Sequence, residues 1–188
     1  ALGVPKDFAA RWTRCINFEY RYYDFYTNAS SPDIVRAYID DTLINKGGNS
    51  RFLVPAGRHC LRVDFLDYGY GASVEFDFKP GPAAPIIDLD TAWLGEYFDN
   101  NQFEGLPAVT QYDPVIDFDW GEISPAIGIP AEFSVRWTRC LEFEDRQYEF
   151  YTRSSTNDPV KVYMDATLIN SGGDSKFLVP AGRHCLRV

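Results

Sequence analysis

No apolar run in this 188-residue chain approaches the roughly 18 residues needed to cross a bilayer, so the segment carries no helical membrane span. Histidine is scarce, with two, and no CxxC spacing accompanies the four cysteines; the common zinc sites are thereby excluded. Basic residues are the minority, 18 Lys and Arg against 27 Asp and Glu. The formal charge of -9 leaves no clustered cations to displace counterions from a phosphate backbone, which excludes nucleic acid as a partner. Long charge runs, low-complexity tracts and a Gly-rich phosphate-cradling loop leading into a helix are all missing. No stretch of ten or more residues keeps a helical period with caps, and this leaves strands as the building material. Neither an initiator Met nor a charged-then-apolar signal pattern stands at Ala1, so any targeting segment lies upstream or has been removed.

What is present is a repeat. Ala126 to Val188 restates Ala1 to Val63 at a displacement of 125 positions without a gap, aligning Trp12 with Trp137, Cys15 with Cys140 and Cys60 with Cys185. Roughly two thirds of the aligned positions are identical, and so long a period means domains in tandem rather than short solenoid units. Residues 64–78 complete the first copy and are missing from the second, whereas residues 91–125 open the second and are missing from the first. The expected organisation is therefore residues 1–78 as the C-terminal part of one repeat, 79–90 as a Pro-rich linker and 91–188 as the N-terminal part of the next. On this reading the chain is a window on a longer tandem array.

The cysteines fall as two equivalent pairs, Cys15 with Cys60 and Cys140 with Cys185, which predicts one disulfide per repeat. Closing a loop of about 46 residues stabilises by about 4 kcal/mol in the chain-entropy account, and places the chain in an oxidising compartment, extracellular or at the cell surface. Strand parity sets the cysteines opposite to the bulky apolar residues: Trp12, Ile16 and Phe18 alternate with Cys15, and Leu61 and Val63 with Cys60. Cysteines facing away from the core either pair across adjacent strands on the outer face or tie one repeat or chain to its neighbour.

From Phe8 onward the pattern is strand upon strand, with Gly47-Gly48-Asn49, Pro55-Ala56-Gly57 and Tyr68-Gly69-Tyr70-Gly71 as turns. The fold class is all-β, an antiparallel sandwich or barrel closed by hairpins. Three prolines in the linker KPGPAAPIIDLD favour an extended, semi-rigid spacer. Trp120-Gly121, Ser124-Pro125 and Gly128-Ile129-Pro130 predict an ordered, irregular loop before the second main sheet begins.

The order WLGEYFDN, FEGLP, DPVIDFDWG, FSVRWTRCLEF, YEFYTRSS, VKVYMDATLI and AGRHCLRV resembles the domain named after the N-terminal fourteen-kilodalton fragment of the anthrax protective antigen. The resemblance covers residues 91–188, with 1–78 matching the later part of the same pattern. It implies a β-barrel or sandwich module of a kind found in adhesins, glycosidases, toxins and large bacterial surface proteins. Sugar-binding members hold calcium with two consecutive aspartates in a loop before the strand that here reads Val160 to Asp165. The matching positions are Pro32-Asp33 and Asn157-Asp158, so the first aspartate is lost in both copies. The resemblance thus implies a degenerate calcium or glycan loop at Asp33, Asn157 and Asp158, weak for calcium, with no metal ligand set and no other cofactor.

Catalysis finds little support. His59 and His184 sit in a strand-like RHCLRV beside a half-cystine, where a structural role outweighs membership of a Ser-His-acid arrangement. Asp117, Asp119, Glu142 and Glu144 could be paired glycosidase carboxylates, but nothing distinguishes them from an acidic strand face. Tyr20, Tyr22, Tyr23, Tyr68 and Tyr70 could stack sugars, yet Asp145 and Gln147 replace the first two in the second copy, which favours a structural role. The function expected from sequence is a non-enzymatic structural component of an extracellular fibre, sheath or cell-surface stalk, a filament whose partners are copies of itself or neighbouring repeats. The alternative is an adhesin or carbohydrate-binding module that takes glycans.

Overall fold

The computed structural model describes residues 7–69, 71–84, 86–155 and 158–188, and every regular element among them is a strand. The first copy forms β1 (Ala9–Phe18), β2 (Arg21–Ala29), β3 (Ile34–Ile39), β4 (Thr42–Asn45), β5 (Gly48–Val54), β6 (Gly57–Leu66) and β7 (Val74–Ala83). The rest forms β8 (Trp93–Phe98), β9 (Val109–Asp113), β10 (Ser134–Phe143), β11 (Arg146–Thr152), β12 (Val162–Met164), β13 (Thr167–Asn170), β14 (Gly173–Val179) and β15 (Gly182–Arg187). Sheets are built from antiparallel pairs, and the all-β class expected from alternation holds.

The chain divides into two compact units. One gathers the first copy through Ile86 together with Phe98–Val109 and Phe118–Ser134; the other gathers Ile87–Tyr97, Thr110–Asp117 and Val135–Val188.

In the first unit a four-stranded sheet in the order β1-β6-β3-β4 faces a three-stranded sheet in the order β5-β2-β7. Alternation decides which side chains meet between them. Phe18 and Leu61, Val63 from one sheet, and Tyr23, Phe25 and Phe52, Val54 from the other, are buried in one core. Phe76 and Phe78 of β7 pack on that core, and Phe78 stacks on Phe25 with ring centroids 6.0 Å apart. Strand β7 runs through Lys79, Pro80 and Gly81 to Ala83, so the start of the Pro-rich stretch is taken into the sheet. A register shift between Arg21 and Tyr23 accommodates Pro80, which has no N–H to give the ladder.

The β3–β4 hairpin closes through Asp40 and Asp41, between the paired residues Ile39 and Thr42. Both aspartates have positive φ, 46° and 69°, as a two-residue type I′ turn requires, and aspartate tolerates that region better than most side chains. The irregular loop before β10 packs on this hairpin: the Ser124 N–H donates to the Leu43 carbonyl at 3.3 Å and the Gly128 N–H to Thr42 Oγ1 at 2.7 Å. Lys46 pairs with Glu122, while Ile123 and Ile127 lie against the first core.

In the second unit a six-stranded sheet runs β13-β12-β15-β10-β8-β9 and a two-stranded sheet pairs β11 with β14. Val162, Met164, Ile169, Val179 and Leu186 form its core, with Leu141, Phe143, Tyr148, Phe150 and Phe177 partly buried against them. Among the described residues strand β11 pairs with β14 alone, whereas its counterpart β2 lies between β5 and β7.

Candidate functional site

Three constellations bring polar side chains together. The first surrounds the disulfides. Cys15 bonds Cys60 and Cys140 bonds Cys185, each across directly opposed residues of adjacent strands, β1 with β6 and β10 with β15. Of the two arrangements left open by the sequence, the outer-face, within-copy pairing is the one formed. Beside each bridge the hairpin aspartate reaches over: Asp40 accepts the Cys60 N–H at 2.8 Å and a bond with His59 Nδ1, and Asp165 does the same with the Cys185 N–H at 2.9 Å and His184 Nδ1 at 2.7 Å. The Cys185 amide, then His184, holds the Asp165 carboxyl below its ordinary value. At Asp40 partial burial pushes upward, but the Cys60 amide and His59 together outweigh it and the carboxyl is also lowered. These histidines therefore lock a turn to a strand.

The second constellation is the loop before β3 and its counterpart. Asp33 accepts the Ser30 hydroxyl at 2.6 Å and the Tyr68 N–H at 3.0 Å, one bond on each carboxylate oxygen, and these donors hold its carboxyl low. Asp158 likewise accepts the Ser155 hydroxyl. Asn157 and Tyr70 lie outside the described residues. Both aspartates thus close a local turn, and among the described residues no group of three or more His, Cys, Asp and Glu side chains converges. Tyr23 is buried with its hydroxyl accepting the Glu19 N–H at 3.1 Å, while Tyr20 and Tyr68 are exposed. Among the sequence-predicted carboxylates, Asp119 accepts the Gly121 N–H at 3.1 Å and Glu144 pairs with Arg146 at 3.5 Å.

The third was not foreseen. Asp113, at the end of β9, is buried with its Oδ2 accepting the Tyr97 hydroxyl at 2.7 Å and the Trp137 indole N–H at 2.8 Å. Its Oδ1 accepts the Gln111 amide at 2.8 Å. Burial, reinforced by the adjacent carboxylate, pushes the Tyr97 phenol far up, so it stays a donor. Gly95 makes room for this: a Cβ there would stand 2.4 Å from Asp113 Oδ2 and 3.3 Å from the Trp137 ring. The sequence signal was Gly95 placed two residues before Tyr97 in a run otherwise rich in bulky side chains.

The arrangement is that of a disulfide-pinned sheet whose tryptophan is sealed by an added strand pair. Residues 90–181 match the PA14 domain. That PA14 match takes in just under half of the chain and contains β8, β9 and all of β10 to β14. The protective-antigen-type resemblance read from the motifs is thereby upheld for this stretch. A relative, the anti-sigma-I factor RsgI3 of Acetivibrio thermocellus, is 42% identical over 77 residues, which cover 40% of this chain and 12% of that protein. The matched part is thus about an eighth of the relative's length. Two solved structures named anti-sigma factor domain-containing proteins, one of them from Clostridium clariflavum, are similar over 95% of this chain. They share 20% and 24% identity with a TM-score of 0.43, covering 73% and 74% of their own lengths.

The relative overturns the function expected from sequence. The relative is named an anti-sigma factor, and neither the structural component of a fibre, sheath or stalk expected from sequence nor the adhesin or carbohydrate-binding alternative agrees with it. The expected partners, copies of itself, neighbouring repeats and glycans, go with them.

Proposed function

We propose that this chain is an extracytoplasmic input module of an anti-sigma-factor-type regulator, displayed at the cell surface and acting by binding rather than catalysis. The observation that carries this is the 42% identity to the anti-sigma-I factor of Acetivibrio thermocellus. The two disulfides support it, because stable structural bridges belong to an oxidising compartment, whereas a sigma factor works with RNA polymerase in the reducing cytosol. The module and the sigma factor then sit on opposite sides of the membrane, and the module's influence on its partner is indirect. Its domains follow the 125-residue period, and it works without a metal: the carboxylates at Asp33 and Asp158 are occupied in closing turns.

The test is a transcriptional reporter for the cognate sigma factor in cells carrying the full-length regulator. Replacing Cys140 and Cys185 by serine, with the amount of full-length protein held equal by immunoblot, is expected to shift reporter output several-fold and remove its response to the extracellular medium. Unchanged output and response from a regulator whose module has lost its bridge would overturn the proposal.

A further inference from the structure

The pleat gives each sheet an outer face as well as a core face. In the first unit Val35, Ala37 and Ile39 of β3 and Leu61, Val63 and Phe65 of β6 are buried, which turns Arg36, Tyr38, Arg58 and Arg62 outward. Tyr38 stands opposite Arg62 in the ladder, and the guanidinium lies over the ring at 4.0 Å. In the second unit Tyr163 stands opposite Arg187 and repeats the stack at 4.4 Å. Arg58 is answered there by Arg183 and Arg36 by Lys161, and all four are exposed. The loss of Asp41 to Ala166 is matched by Glu142 in place of Asn17, so the charge of the face is kept between copies. The outer face of β2 has changed instead: Tyr22 and Asn28 are Gln147 and Arg153 in the second copy. Packing places no demand on an exposed side chain, so stacks and cations that recur on one face while the other drifts mark the face that meets a partner. That face is open both in the copy that carries β7 and in the copy that carries β8 and β9.

We infer that the outer face of the bridged sheet, β1-β6-β3 and its counterpart β10-β15-β12, docks an extended acidic polypeptide segment, one on each copy, whose carboxylates reach Arg36 and Arg58, or Lys161 and Arg183, with the ring-stacked arginine between them. Carboxylate is the chemistry already seated on the guanidiniums of this face: Arg62 pairs with Asp41, and Arg11 holds Asp64 through two bonds of 2.6 and 2.9 Å. Neither Arg36 nor Arg58 forms an ion pair among the described residues, which leaves both to answer a partner in a chain whose net charge is -9. Arg36 is in register with Asp64, six positions along β6 from Arg58, so the two cations stand about 20 Å apart and an extended segment of about six residues spans them. Stacking on Tyr38 or Tyr163 fixes the guanidinium plane before the partner arrives, and less side-chain freedom is lost on docking. This surface and the chemistry it takes do not depend on the regulatory reading.

The probe is an end-blocked octaglutamate peptide, titrated at low salt into the intact, isotope-labelled chain and followed by amide chemical shifts. The expected result is saturable movement of amides on β3 and β6 and on β12 and β15, with two peptides bound per chain and affinity falling as salt is added. Arg58→Glu weakens binding to the first copy by about 5-fold or more and leaves the second unchanged, and Arg183→Glu does the reverse. Lys176→Glu, on the outer face of β14, leaves both sites as they were, and the dispersion of the spectrum shows that each variant is folded. Absence of saturable shifts at millimolar peptide, shifts confined to β2, β5 and β7, or undiminished binding to a chain carrying both Arg58→Glu and Arg183→Glu overturns the inference. So does tighter binding of inorganic polyphosphate of equal charge, because the face would then take a phosphate polymer. Shifts that depend on chain concentration without peptide, and vanish in the double variant, overturn it too, since a second copy would already cover the face.

Discussion

The two sequence copies form the same hairpins and the same bridges, yet they are covered differently, and cover sets the environment of identical residues. In the first, β7 lies beside β2 and its phenylalanines close the core, so that Phe25 is 1% exposed. In the second, β11 pairs with β14 alone among the described residues, Phe150 is partly buried and Tyr151 is 74% exposed. The run Thr-Leu-Ile-Asn shows the same dependence: Thr42 is buried under the loop that carries Ser124 and Gly128, while its counterpart Thr167 is exposed. Tryptophan reverses the direction, since β8 and β9 seal Trp137 and leave Trp12 open. What the copies share is the set of contacts that close within the hairpins. Asn45 illustrates this, accepting the Thr27 hydroxyl and donating to the Gly48 carbonyl at 3.1 Å and Ser50 Oγ at 2.9 Å. Asn170 repeats it with Thr152 at 2.9 Å, Gly173 at 2.9 Å and Ser175 at 3.0 Å.

The contrast breaks most sharply at the tryptophans. Trp137→Ala is expected to cost about 4 kcal/mol, by removing a buried ring and one of the three donors to Asp113, whereas Trp12→Ala costs about 1 kcal/mol or less. Hydrogen exchange of the β10–β15 and β1–β6 amides measures the two effects separately, and equal losses would erase the distinction. The phenylalanines give a smaller contrast of opposite sense: Phe25→Ala should cost about 3–4 kcal/mol and Phe150→Ala about 1–2 kcal/mol, read by the same exchange experiment on β2 and β11.

Acid is the weakest discriminator. The carboxyls of Asp24, Asp33, Asp64, Glu149 and Asp165 are held below their ordinary values by hydrogen bonds from Arg51, Ser30, Arg11, Lys176 and the Cys185 amide respectively. A lowered folded pKa gives stability that is complete above the unfolded value, 3.8 for aspartate, and lost as pH falls through the folded value. Melting temperature should therefore change little from about pH 7 to about pH 5 and drop below about pH 4. Added salt should shrink the drop, because these pairs are exposed and screened.

The strands were legible because alternation of Trp12, Ile16 and Phe18 with Cys15, and of Leu61 and Val63 with Cys60, is imposed by the pleat alone. The outward pairing of the cysteines followed from the same parity once the two strands were placed side by side. Which segments belong with which copy was legible from the period, but the contacts they make, such as those sealing Trp137, depend on long-range packing that local sequence does not carry. Asp113 was hidden for a related reason: an acid in an acidic, aromatic stretch reads as surface until three donors are brought around it. The Asn45 and Asn170 clasps had a signal in the unchanged run TLIN followed by a glycine pair and a serine. Function was the least legible, because repeats, bridges and prolines describe how a module is built and say nothing of what it responds to.

Each bridge joins adjacent strands across a sequence separation of 45. When tension is applied to the two ends of the chain, it passes from Cys15 to Cys60 through sulfur and bypasses everything between them. About 150 Å of contour is thereby kept out of any extension, at about 3.4 Å per residue. The turns at Asp33 and Asp40 and the Asn45 clasp lie inside that shielded loop, so a pull that peels β7 from β2 would leave them joined to one another.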